Sequence, residues 1–256
     1  MNSFLTYFLM SLLIIAIIFA TFLLRNQRVV SAKIGFICWI SLSIYFIIEY
    51  IVISATTAPY NFLKQPMSDL GVTACGKDAY VLASYEICSP YHQLMNWTFI
   101  VTGIVIFVGA ICLHQFWPDK RQTRIATILL VIFGLSYTIS GIVPADVNFL
   151  WHTFASLPGM FVQIPALVII GLSIRRKMPK LSLWTFVCAV ISASSLVLLF
   201  FQPLLIDLPG GLLQRILYGA VYFWMAITAI VLWQMPSSFT PNKMRHISDS
   251  GNRKYI

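Results

Sequence analysis

The chain has 256 residues, of which 59% are hydrophobic and only 10% are charged, and its formal net charge is +9. Because apolar residues dominate to this degree, the composition excludes both a soluble domain and an intrinsically disordered chain. The positive charge lies in short segments between apolar stretches, so it indicates membrane topology and predicts no binding to nucleic acid.

Seven apolar stretches follow one another along the chain. Each is long enough to cross the bilayer as an α-helix, which needs about 20 apolar residues. The predicted spans cover residues 4–24, 34–56, 94–116, 125–143, 152–174, 181–205 and 212–235. The sequence therefore predicts an all-α, polytopic bundle of seven transmembrane helices. This single domain (residues 1–235) is followed by a polar tail (residues 236–256).

The basic residues collect on one side of the predicted membrane. Of the 17 Lys and Arg residues, 14 lie in every second loop or in the tail. They are Arg25, Arg28, Lys33, Lys120, Arg121, Arg124, Arg175, Arg176, Lys177, Lys180, Lys243, Arg245, Arg253 and Lys254. Short basic loops remain in the cytoplasm. This pattern predicts an outside N-terminus and a cytoplasmic C-terminus, with the bilayer and its anionic head groups as partners.

The second predicted span is followed by a long outer loop that contains Cys75 and Cys88. Two thiols in an oxidising compartment, 13 positions apart, favour a disulfide that stabilises the fold by about 3 kcal/mol. The alternative is two reduced cysteines in the loop.

Most polar and titratable residues of interest fall on the predicted outer side. Candidate catalytic residues are Ser68, Asp69, His92, Asp146 and His152, and candidate ligand-binding residues include Asn96 and Asp207. Asn96 follows His92 by four residues and therefore shares its helix face. We expect these side chains to meet at one depth in an outward-facing polar pocket.

Two chemistries suit such a pocket. Histidines and carboxylates act as general acids and bases, and His92, His152 and Asp146 are also residue types that hold zinc. Haem ligation by the two histidines is a further alternative. In the simpler interpretation, Asp and Ser near helix ends only cap free backbone N–H groups. Retinal is not expected, because no predicted span contains a Lys for a Schiff base.

Two charges, Glu49 and Arg215, fall inside predicted spans. An ionisable residue at that depth is costly and should face the bundle interior with a partner. The two positions lie at similar depths below the outer surface, so we predict that they pair. Arg215 alternatively binds an anionic lipid head group.

Three motifs resemble a family of bacterial and archaeal membrane proteins, the domain of unknown function 998 family. They are PMSDLG at 66–71, SPYHQLMNWTFIVTG at 89–103, and GIVPAD followed by His152. Together with the segments between them they cover about 40% of the chain, in the order that the family has. The resemblance implies a prokaryotic cytoplasmic membrane and carries no activity.

The seven-helix layout is more distantly similar to the membrane hydrolases related to alkaline ceramidase and the adiponectin receptors. The chain departs from that superfamily because no H-x-x-x-H occurs on the last helix and a three-His zinc site cannot be assembled. Two functions remain open. One is an enzyme or binding protein for a lipid or lipid-linked substrate at the outer pocket. The other is a non-enzymatic accessory or assembly protein, or a transporter.

Overall fold

The structure, a computed structural model, describes residues 3–24, 27–202 and 208–235. Eight α-helices account for most of these residues. They are α1 (Ser3–Leu24), α2 (Arg28–Ser41), α3 (Ile44–Ser54), α4 (His92–Leu113), α5 (Arg121–Ile142), α6 (Phe149–Ile174), α7 (Pro179–Phe201) and α8 (Gly210–Trp233). The predicted all-α fold is confirmed.

Six helical segments of the described chain are long and apolar enough to cross a membrane. They are Arg28–Ser54, His92–Phe116, Arg121–Ile142, Phe149–Ile174, Pro179–Phe201 and Gly210–Trp233. In α1, the apolar stretch Ser11–Thr21 is shorter than these six segments. Helix α1 packs through Ile14 against Ile100, Ile104 and Phe107 of α4.

The second predicted span differs most from the structure. It begins at Arg28 rather than near residue 34, and it is divided into α2 and α3 at Leu42 and Ser43. The hydroxyl of Ser41 donates to the carbonyl of Cys38 at 2.8 Å, and that of Ser43 donates to Ile40 at 2.8 Å. Such side-chain bonds compete with the helical backbone pattern, which gives a physical reason for the break.

Helix α6 continues through Pro158 because a serine of α5 replaces a missing backbone bond. Gly159 donates its N–H to the Ser136 hydroxyl at 2.9 Å, and Ser136 in turn donates to the carbonyl of Ala155. The hydroxyl thus bridges two backbone groups that would pair directly in an unbroken helix. Backbone groups freed by proline inside a membrane need this kind of internal partner.

The centre of the bundle is aromatic. Tyr45, Tyr137, Tyr218 and Tyr222 contact one another as edge-on or stacked rings at 5.2–6.4 Å between centroids. At one side of this cluster, the Trp39 indole donates to the carbonyl of Ile106 at 3.2 Å. These contacts join α3, α5 and α8 around the buried helix α4.

The long loop before α4 is folded. A 3-10 turn, Met67–Gly71, is buried against the bundle, and strands β1 (Gly76–Lys77) and β2 (Glu86–Ile87) pair antiparallel. Cys75 and Cys88 form a disulfide beside these strands, as predicted. We call this end of the bundle the disulfide end and the opposite one the basic end.

Candidate functional site

Arg215 of α8 lies at the centre of the polar structure at the disulfide end. Its Nε donates to Glu49 Oε1 of α3 at 2.9 Å, and the two side chains are only 6% and 5% exposed. The predicted pairing of these two charges is confirmed. Pairing lowers the cost of burying both charges in an apolar bundle.

The rest of the Arg215 guanidinium holds the folded loop. Nη1 donates to the carbonyl oxygens of Phe62, Gln65 and Gly211, each at 3.0 Å, and Nη2 donates to the Tyr60 hydroxyl at 2.5 Å. The Phe62 ring also covers the guanidinium at 4.2 Å. All three guanidinium nitrogens therefore have protein partners, and this arginine anchors the loop to α3 and α8.

Asp69 faces two tyrosines of the same loop. Its carboxylate oxygens accept hydrogen bonds from Tyr80 at 2.5 Å and from Tyr85 at 2.7 Å. Burial raises the pKa of Asp69 above its usual value, and the two hydrogen bonds offset part of that shift. The sequence motif did not point to these tyrosines, which lie 11 and 16 positions further along the chain.

Three more predicted site residues bind backbone or loop groups. Asp146 Oδ2 accepts from the Thr73 N–H, the Thr73 hydroxyl and the Ala74 N–H at 2.6–3.1 Å. Asn96 donates to the carbonyl of Gly71 at 2.8 Å. His92 Nδ1 contacts the carbonyl of Ser89 at 3.0 Å. The first of these interactions attaches the loop to the α5–α6 connection, and the second attaches it to α4.

Ser68 and His152, in contrast, line one small cavity. Its walls come from the 3-10 turn and from α4, α5, α6 and α8, and its volume is about 30 Å³. We call it the serine–histidine cavity; it is lined by Met67, Ser68, Phe99, Tyr137, Ser140, His152, Ser156, Gln214 and Tyr218. Its volume is sufficient for about two water molecules.

The hydrogen bonds of this cavity determine which groups face it as donors or acceptors. His152 Nδ1 donates to the carbonyl of Val143 at 2.7 Å, so Nε2 of the neutral ring is an acceptor. Gln214 is oriented by its acceptance of the Met67 N–H at 2.8 Å. The buried Tyr137 hydroxyl lies near the hydroxyls of Tyr45 and Tyr222.

The structure thus brings together part of the expected constellation. Ser68 and His152 share a cavity, whereas Asp69, His92 and Asp146 do not line it. Asp207 lies outside the described residues. Tyr137 and Gln214 are members that sequence patterns did not indicate, because a Tyr or Gln in an apolar helix is not distinctive by itself.

The arrangement also bears on metal binding. Within residues 3–24, 27–202 and 208–235, no three His, Cys, Asp or Glu side chains lie close enough to hold a metal ion. His92, His152 and Asp146 therefore do not form the three-residue group considered from the sequence. Each of them contacts the backbone or loop groups described above instead.

Comparison with known proteins places the chain in a family. No curated protein and no solved structure matched it. A family model described as "Protein of unknown function (DUF998)" matches residues 40–231, from the end of α2 to near the end of α8. Because this match covers most of the chain, the protein belongs to the DUF998 family.

Proposed function

We propose that this protein spans a prokaryotic cytoplasmic membrane seven times. In this topology the N-terminus and the disulfide end lie outside and the C-terminus lies in the cytoplasm. We further propose that the serine–histidine cavity binds the polar head of a lipid or lipid-linked molecule. The distribution of Lys and Arg supports the orientation, and a disulfide suits the oxidising side of that membrane.

The convergence of polar groups on one cavity carries the binding proposal. Ser68, Tyr137, His152, Ser156 and Gln214 come from four different elements of the chain and supply both donors and acceptors. Since the cavity is small, only an oxygen-bearing tip of the ligand would enter it.

Ser68 and His152 are also the pair that best suits a reaction. The His152 Nε2 would take the Ser68 proton while the serine oxygen attacks an ester carbonyl. The proton would then pass to the departing alcohol, and water would release the acyl group from Ser68. Asp146 does not orient His152 in this scheme, because the carbonyl of Val143 holds Nδ1.

Lipid retention tests the binding proposal. We expect protein purified in mild detergent to retain one lipid class above its share in the membrane. Ser68→Ala and His152→Gln should each reduce this retention about tenfold, the effect of losing one good hydrogen bond. Ser54→Ala, an exposed serine at the same end, is the matched control. Identical lipid profiles in all four proteins would contradict the proposal.

A fluorophosphonate probe separates a reaction from binding alone. Such probes label serines that a neighbouring base activates. Labelling that requires both Ser68 and His152 would support an enzyme. Lipid retention without labelling would support a binding protein.

The second candidate function is a non-enzymatic accessory or assembly protein. The observation that favours it is the loop tip between β1 and β2, where Val81 and Leu82 are 84% and 69% exposed. Apolar side chains on a disulfide-closed loop are typical of a contact surface for another protein. A photocrosslinking residue at Leu82 should then give one discrete adduct in cells, and the same residue at exposed Lys77 should not.

A further inference from the structure

A cavity much larger than the serine–histidine cavity lies at the basic end of the bundle. Its volume is about 570 Å³. It forms where α2 begins, α4 and α8 end, and the connections to α5 and α7 turn back. This volume falls within the range of about 300–1,000 Å³ that small-molecule sites occupy. We call it the basic cavity.

Cationic side chains surround the mouth of the basic cavity. Arg28, Lys120, Arg124 and Lys177 line it from three separate parts of the chain, and Asp119 is the one carboxylate among the lining residues. Asp119 pairs with Arg124 at 2.7 Å. The first turn of α5 also lies here, and the start of a helix favours negative charge. The electrostatics therefore suit an anion.

A buried donor also lies in this wall. Trp117 is 5% exposed and lines the cavity, and its indole N–H has no acceptor among the residues that the structure describes. An indole N–H can only donate, so a partner has to bring an acceptor oxygen. This observation is independent of the charges at the mouth.

The remaining wall is apolar. Apart from His114 and Gln115, it consists of Phe116, Pro118, Ile174, Met178, Leu232 and Met235. A ligand that fits should therefore combine an anionic group, placed near the mouth, with a less polar part that contacts this wall. A phosphate ester has both features, because its oxygens only accept hydrogen bonds and its ester group carries carbon.

We propose that the basic cavity binds a phosphate ester. Lys120 and Lys177 contact the phosphate from opposite connections, the Trp117 indole donates to one phosphate oxygen, and the apolar wall contacts the esterified group. The ester is either the head group of an anionic lipid or a soluble phosphorylated molecule. This site lies at the opposite end of the bundle from the serine–histidine cavity and does not depend on it.

The chain supplies a matched control for charge. Arg175 and Lys180 are exposed at the same end but do not line the cavity. The test pair combines Lys120→Gln with Lys177→Gln, and the control pair combines Arg175→Gln with Lys180→Gln. Both pairs remove the same charge from the same end. Only the first pair should affect a phosphate held in the cavity.

The experiment measures the affinity of the full chain, in neutral detergent, for three probes. They are dihexanoyl phosphatidic acid, dihexanoyl phosphatidylcholine and glycerol 3-phosphate. We expect phosphatidic acid to bind. Its Kd should rise about a hundredfold in the Lys120 and Lys177 variant, since each charged hydrogen bond contributes about tenfold. The control pair should keep the Kd of the unaltered chain.

A second variant checks the site without removing a charge. Trp117→Phe keeps an aromatic ring but removes the indole N–H, so it should weaken phosphatidic acid binding about tenfold.

The three probes also distinguish the two sources of the phosphate. Equal binding of phosphatidic acid and glycerol 3-phosphate would identify a soluble phosphate as the source, and weak binding of glycerol 3-phosphate would identify the lipid.

Two results would overturn the proposal. One is equal binding of phosphatidylcholine, whose net charge is zero, and phosphatidic acid, because the cavity would then not select the negative charge that the lysines should attract. The other is equal weakening by both charge pairs, because the basic end would then attract anions only as a diffuse surface.

Discussion

At the scale of single residues, charged side chains at the disulfide end of this protein stabilise its folded loop. Glu49, Asp69, Asp146 and Arg215 each make defined hydrogen bonds that connect the segment between α3 and α4 to the helices. Polar groups are costly in an apolar bundle unless they are satisfied. Their presence at the disulfide end is thus explained by folding, and Ser68 and His152 remain as the candidates for function.

The Glu49–Arg215 pair should show strong energetic coupling. Glu49→Gln leaves a buried cation without its counter-charge and should lower the free energy of unfolding by about 3–5 kcal/mol. Arg215→Gln should cost more, because it also removes the donor to two loop carbonyls and to one in the first turn of α8. The double variant should be more stable than the sum of both losses implies. Denaturant unfolding in detergent measures these values.

A control and a contrary outcome accompany this prediction. Glu86→Gln removes an exposed glutamate at the same end and should change stability by less than about 0.5 kcal/mol. Strictly additive losses for Glu49 and Arg215 would contradict a shared interaction.

Asp69 should make the stability of the loop depend on pH. Burial raises its pKa, so the folded protein holds this proton more tightly than the unfolded chain does. The resulting stability is complete below the unfolded pKa of about 3.9. It is lost as the pH rises through the higher folded pKa. Asp69→Asn should therefore flatten the decline of the melting temperature above about pH 4.

The comparison for Asp69 is Asp78→Asn. Asp78 is exposed, and its positive φ of 55° suits asparagine equally well. This variant should retain the pH dependence of the unaltered chain. If Asp69→Asn has the same pH profile as well, Asp69 is not the titrating group.

At the scale of helices, close contact depends on small residues and on hydroxyls that bond to the backbone. Ser136 bridges the backbone of α6 at Pro158, and Gly134 allows α5 to approach α4. A Cβ at Gly134 would lie 2.5 Å from the carbonyl oxygen of Gly103 and 2.8 Å from the backbone nitrogen of Phe107. Neither backbone atom can move aside as the end of a flexible side chain could.

Gly134→Ala should consequently destabilise the protein by about 1–3 kcal/mol, as expected for overpacking a tight contact. The matched variant is Gly219→Ala in α8, where the nearest atom to a new Cβ is Phe46 Cζ at 3.5 Å. That is an ordinary contact distance, so Gly219→Ala should be tolerated. Thermal unfolding of both variants checks the difference, and equal losses would argue against a backbone clash.

At the scale of the whole molecule, the two ends of the bundle have different chemistry. The disulfide end carries a folded loop that hydrogen bonds attach to the helices, whereas the basic end carries short turns, many cations and a cavity of about 570 Å³. Such asymmetry is expected when one end contacts the cytoplasm and the other the oxidising side.

Reporter fusions should therefore distinguish the two ends in cells. A reporter that is active only in the cytoplasm should be active after Lys120, Lys177 or Lys243. It should be silent near Cys75, Asn148 or Pro209, because short basic loops stay in the cytoplasm. Activity at any of the three outer positions would refute the seven-span orientation.

The sequence by itself determined the last five helices and the disulfide of this protein. The lengths of the apolar stretches predicted α4–α8 to within four residues at each described end, and the isolated Cys75 and Cys88 predicted the disulfide. Both follow from short-range physics, because a span must match the bilayer and close thiols in one loop pair readily. Depth along the spans also sufficed to predict the Glu49–Arg215 pair.

Only the tertiary structure decided which polar residues act together. The sequence placed Ser68, Asp69, His92, Asp146 and His152 at one depth, but depth does not determine the direction of a side chain around its helix or within a folded loop. Asp69 accepts from Tyr80 and Tyr85, and Asp146 accepts from Thr73. Ser68 and His152 line the cavity instead, together with Tyr137. The basic cavity likewise arises from four distant segments that meet only after the helices pack.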